Sequence, residues 1–207
     1  MEDSFAFLKD NHAFSSLIRE QKTNGDSQNI NNQMEILQQN RYNSENDLIT
    51  YTRGCITSAD FFINTDKKQA AYYLNRADTA LKELVDADEK VLIVLDFTYK
   101  SILYSYDKIK HFKYGIQAAK LIDNSFKKYP NNVQIRILYA SKLLYAPGFA
   151  GGSKKKALDA FNPLSADKEL SDWDKYDVYY GIGTALKELN KEKEAEIFLN
   201  YAENIYF

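Results

Sequence analysis

The chain of 207 residues is poor in the residues that punctuate or cross-link a fold: 8 Gly, 3 Pro, 1 Cys and 2 His. Each scarcity excludes something. A lone Cys makes neither an intramolecular disulfide nor a thiolate metal cluster. The two His, His12 and His111, lie far apart in sequence and argue against a His-based metal site or triad, so no metal and no cofactor is expected. All-β folds need frequent turn residues, so sparse Gly and Pro favour long helices. Net charge is −2, from 27 basic and 29 acidic residues, which offers no basic surplus for nucleic acid. The longest apolar run, residues 91–95, falls far short of the roughly 18 apolar residues of a membrane span.

What is present fits a soluble globular chain of one domain, or at most two small ones: 44% hydrophobic and 27% charged residues. The aromatic balance is unusual, with Tyr 16 and Phe 12 against Trp 1. Tyr packs like an apolar residue while its hydroxyl seeks a partner, which suits half-buried positions between helices; a tyrosine-lined binding surface is the alternative. Residues 1–17 lack the basic start and apolar run of a signal peptide and carry charges at Lys9 and Asp10. As written, the chain reads as cytoplasmic. A leader removed upstream of Met1 would make it periplasmic or exported, and both compartments stay open.

Residues 4–20 place Phe5, Leu8, Leu17 and Ile18 at helical spacing, which predicts a short amphipathic helix. Asn and Gln make up nearly half of residues 21–46, and Met34, Ile36 and Leu37 could support a turn or two of helix. This stretch reads as a long, poorly ordered connection or a peripheral helix. Residues 1–43 thus form an N-terminal helix plus an Asn/Gln-rich connection, ahead of a helical domain over 44–207. Ser44, followed by Glu45 and Asp47, is a helix start signal; Lys127, Lys128 and Pro130 are stop signals. The pattern predicts helices over 45–63, 67–85, 88–106, 112–128, 132–145, 153–161 (ended by Pro163), 172–189 and 191–205.

The last two helices carry Tyr179, Ile182, Gly183 and Leu186, then Ala195, Leu199 and Ala202. Small residues fall where two backbones approach most nearly, and larger ones fill the grooves. Ala70, Leu74 and Ala77 repeat the second half of this pattern, as do Ala118, Ile122 and Ser125. Tyr139, Ala140 and Leu143 with Ala157 and Phe161 repeat it with a longer turn. The arrangement resembles the tetratricopeptide repeat, although the key alanines recur at intervals of 48, 39 and 38 residues rather than the family's period of about 34. Over residues 44–207 the resemblance implies an all-α solenoid of antiparallel helix pairs in a right-handed superhelix.

Carried over residue by residue, the family's concave groove falls on Gln134, Ile137, Ser141 and Leu144, and on Asp177, Tyr180, Thr184 and Lys187. A protein or peptide is the partner this implies, and a homo-oligomer stays open. The loop with Pro147, Phe149, Gly151 and Gly152 looks like an expanded turn of some bacterial repeat proteins, among them a periplasmic component associated with tripartite solute transporters. It reads as a structural turn or as a ligand or partner loop. Ser153 can cap the helix that follows, and free amides there, with Lys154, Lys155 and Lys156 nearby, could attract an anion. No catalytic constellation is found: Cys55 reads as a buried inert thiol, and Asp86 with Asp88, or Glu192 with Glu194, as solvated helix-end charges. The expectation is therefore a non-catalytic interaction module or adaptor. The alternative is an exported small-molecule-binding accessory of a bacterial solute transport system, which a sealed apolar cavity behind Tyr145 and Phe149 would favour.

Overall fold

A computed structural model describes residues 1–206. It is all-α: ten α-helices and two short 3-10 helices, with one parallel bridge, Glu2 to Asn132, as the extended pairing among the described residues. Among these residues no helix is long and apolar enough to cross a membrane. The chain divides into two compact units. One holds residues 5–118; the other joins residues 1–4 to everything from Ala119 onward.

In the first unit the expected helix over 4–20 is split. A 3-10 helix, Ala6–Asp10, ends at Asn11, whose side chain accepts from the Phe14 amide at 2.9 Å and starts α1 (His12–Thr23). Asn offers the backbone this alternative to a continuing helix. Asn24 then takes a left-handed conformation (φ 50°) and Asp26 caps α2 (Ser27–Asn40). The Asn/Gln-rich stretch is thus largely ordered helix, the second of the two readings. Its apolar residues explain why: Ile30, Met34 and Leu37 share one face and are buried. That face meets Gly54 of α3 (Glu45–Phe62), where a Cβ would lie 2.8 Å from Leu37 and 2.9 Å from Met34. Gly54 lets α2 approach closely, and α1 also packs on α3.

Ser44 caps α3 reciprocally with Asp47, and Asp66 caps α4 (Lys67–Glu83) by accepting from the Lys68 and Gln69 amides. Ala70, Tyr73, Leu74 and Ala77 are buried, and α3 and α4 form the close pair that the repeat pattern implies. Cys55 is fully buried there, and burial pushes its thiol up to about 12. Next come α5 (Glu89–Tyr106) and α6 (Phe112–Lys128), which carries the chain into the second unit.

The second unit contains α7 (Val133–Tyr145), α8 (Lys154–Ser165), α9 (Asp172–Glu188) and α10 (Glu192–Glu203). Helices α7 and α8, α8 and α9, and α9 and α10 pack as neighbours around one apolar core that includes Ile137, Leu144, Ala157, Phe161, Ile182 and Ala195. Gly183 lies where expected, against α10: a Cβ on it would sit 2.7 Å from Leu199. For the eight helices expected over 45–205, the bounds hold to within two residues at every end except one. Pro163 does not end α8; the helix runs on to Ser165. In the last turn a missing N–H costs a single hydrogen bond, and the continuation buries Leu164 completely.

Candidate functional site

The eight residues assigned to a groove separate into two groups. On α7, Gln134, Ile137 and Leu144 are buried and Ser141 is half-buried, so this half of the expected groove is not an open surface. Helix α7 is apolar on nearly every side, and both α8 and α9 pack on it; Ile137 and Leu144 are consequently core residues. Gln134 is covered from another direction. The segment before Phe5 runs beside the start of α7, where Glu2 donates to the Asn131 carbonyl at 3.1 Å and accepts from the Val133 amide at 2.9 Å. Gln134 then accepts from the Ser4 amide at 3.2 Å and donates to Asp3 at 2.8 Å. Asn132 donates to Ser4 at 2.7 Å, and Ser171 donates to the buried carboxylate of Asp174 at 2.5 Å. This is a structural polar network, not a ligand surface.

On α9 the outcome differs. Tyr180 is 44% exposed, Lys187 is exposed, and Asp177 and Thr184 are half-buried. Tyr176, one helical turn before Tyr180, stacks on it with ring centroids 5.7 Å apart and planes 8° apart. Tyr206, beyond α10, leans on Tyr176 at 5.7 Å. From the end of α7, the Tyr145 hydroxyl comes near Tyr180, Asp177 and Thr184. Desolvation, with Tyr180 and Asp177 close by, pushes that hydroxyl up to about 12. Tyr176 and Tyr206 are raised for the same first reason, burial, and then by neighbouring tyrosines or carboxylates. Tyr145, Tyr176 and Tyr206 therefore stay neutral near pH 7.

Tyr145 and Tyr176 were absent from the expected groove. Tyr176 had a signal, since it precedes Tyr180 by four residues and helical i,i+4 pairs lie face to face. Tyr145 had none, because only the packing of α7 against α9 brings it there. Lys187 makes no ion pair among the described residues, whereas Lys154 lies 4.0 Å from Glu188 and also donates to the Leu144 carbonyl.

The loop between α7 and α8 is closed on itself. The amides of Ala150 and Gly152 both donate to the Pro147 carbonyl, that of Gly151 to Gly148, and that of Ser153 to Leu143 at 2.7 Å. Ser153 caps α8 by accepting from the Lys156 amide. The amides of residues 150–153 are thus spent within the loop. Gly151 alone of the three glycines takes a positive φ, 83°. Gly152 is needed for space, since a Cβ would lie 1.8 Å from the Ala146 carbonyl oxygen. Pro147 is exposed, and Phe149 points outward, 88% exposed. No family model, no curated protein and no solved structure matches the chain.

Proposed function

We propose that the protein is a non-catalytic interaction module of tetratricopeptide-like design, which takes a protein or peptide on the exposed face of α9. The observation that carries this reading is the convergence of Tyr145, Tyr176 and Tyr180 around Asp177 and Thr184, with Lys187 free at the edge. Rigid tyrosines supply large contact area at low entropic cost, and their hydroxyls add orientation, which is why interface hot spots are rich in Tyr. The exposure of Tyr145 (62%) and Phe149 supports an open surface over the sealed cavity that a small-molecule accessory would need.

The test is affinity capture from the source lysate by the wild type and by a Tyr180→Ala, Lys187→Glu variant, with captured proteins identified and their binding then measured with purified partners. The expected result is a specific partner that the double variant binds at least tenfold more weakly. A variant that retains every partner, or a wild type that captures none, overturns the reading.

A further inference from the structure

A second candidate site lies in the other unit, independent of the α9 face. Helices α2 and α4 both pack on α3 or its neighbours and leave a cleft of about 320 Å³ between them. That volume lies at the lower end of the range for small-ligand sites. The α2 wall is a single stripe at spacings of three and four: Gln28, Asn31, Glu35 and Gln38. The α4 wall repeats that spacing with Gln69, Tyr72 and Arg76. Gln28, Glu35, Gln38 and Tyr72 are exposed, so the cleft opens to solvent, and the buried residues Met34 and Tyr73 form its floor.

The polar groups are held in place from behind. Asn31 accepts from Gln69 at 3.0 Å and from the hydroxyl of buried Tyr73 at 2.7 Å. Arg76 donates through Nε to the hydroxyl of Tyr51, a fully buried residue of α3, at 2.6 Å, and through Nη1 to Tyr72. Its guanidinium also lies over both rings, 5.6 Å from Tyr51 and 5.1 Å from Tyr72. Tyrosines thus fix the guanidinium without neutralising it. Among the described residues Arg76 has no carboxylate partner, and its Nη2 group has no acceptor. Glu35, exposed on the opposite wall, has no ion pair either. One cleft therefore holds a fixed cation and an anion that do not pair with each other, with amides between them.

We propose that this cleft binds a zwitterionic ligand of the free polar α-amino acid class. Its carboxylate meets the Nη side of Arg76 and its ammonium meets Glu35. The side-chain amides of Gln28, Gln38 and Gln69 donate to and accept from the polar side chain. A guanidinium presents parallel N–H groups that match a carboxylate, which makes it the specific element of the site. Glu35 supplies selectivity for a ligand that carries a positive charge. A ligand with a carboxylate alone would leave Glu35 facing an acid of its own sign.

Isothermal titration calorimetry with the full chain tests this, with L-glutamine as the probe. N-acetyl-L-glutamine removes the positive charge, L-glutaminamide removes the carboxylate, and D-glucuronate offers a carboxylate on a neutral polar body. Glutamine is expected to bind at millimolar concentration or below, and each derivative about tenfold or more weakly, the cost of one lost charge-assisted contact. Arg76→Gln is expected to lose binding of glutamine by a similar factor. Because Arg76 also holds Tyr51 and Tyr72, Glu35→Gln serves as the fold-neutral variant. It is expected to weaken glutamine about tenfold and thereby abolish the discrimination between glutamine and its N-acetyl form. Tyr180→Ala, in the other unit, leaves glutamine binding unchanged. Absence of binding by the wild type, equal binding of glucuronate or N-acetylglutamine, or unchanged preference in Glu35→Gln overturns the proposal.

Discussion

A Cβ placed on Gly181 would stand 2.5 Å from the ring of Phe161, which is completely buried. Helix α8 thus docks on α9 through an aromatic ring laid on bare backbone. The ring is enclosed by the core of the second unit and cannot swing aside. Gly181→Ala is therefore expected to destabilise the protein by about 1–3 kcal/mol, the usual cost of overpacking. Thermal unfolding measures this. The double variant Gly181→Ala, Phe161→Leu should lose less stability than the two single changes summed, because the smaller side chain relieves the clash.

Gln134 offers a second test. It was expected in a binding groove, yet its amide joins the Ser4 amide and Asp3 to the start of α7. Gln134→Ala is expected to cost about 1–3 kcal/mol, since partly buried partners are left unsatisfied, and to leave partner capture by the α9 face unchanged. Denaturant unfolding reads the first effect. A variant that lost capture while keeping its stability would contradict the structural role.

The loop glycines should separate cleanly. Gly152→Ala forces a Cβ against the Ala146 carbonyl and is expected to be destabilising by about 1–3 kcal/mol. At Gly148 a Cβ meets nothing within 4 Å, so Gly148→Ala is expected to stay within about 0.5 kcal/mol of the wild type. Paired melting curves decide it, and equal losses from both changes would contradict the described loop.

Burial pushes Tyr51, Tyr73 and Tyr99 up to about 12, and Cys55 likewise. A raised value on an acid means that the fold favours the neutral form. That contribution to stability is fully present below the unfolded values, about 8.5 for Cys and 10 for Tyr. It is lost as pH rises through them towards 12. Stability should therefore fall steeply above about pH 10, in step with tyrosinate absorbance. Iodoacetamide at about pH 8.5 should label Cys55 in unfolded but not in native protein.

The helices were legible because their ends are written locally. Ser44, Asn132 and Ser171 are side-chain caps in the structure, and Pro130 stands just past α6. Pro163 misled because a stop signal competes with burial, and Leu164 favoured continuing. Helix α2 was only half legible: its composition suggests disorder, but Ile30, Met34 and Leu37 need a partner face, and that face depends on Gly54 being without a side chain. The site followed the same division. Asp177, Tyr180 and Thr184 were reached by carrying the repeat's groove positions onto one helix, and the structure leaves that face of α9 uncovered. Exposure of α7 could not, because whether Ile137 and Leu144 face solvent depends on how three helices pack.

Residues 2–4 leave the ribosome long before the residues they bind. The hydrogen bonds that join Gln134 to Ser4 and Asp3 close loops of 130 and 131 residues, so the nascent chain carries this edge unpaired through the synthesis of the entire first unit. At about 5–20 residues per second, that wait lasts several seconds to tens of seconds. The second unit therefore cannot finish folding simply as its own residues emerge, because one of its parts must be fetched from the far end of the chain. Translation speed and an N-terminal fusion partner should both affect how much protein reaches the native state, even where neither alters its final stability.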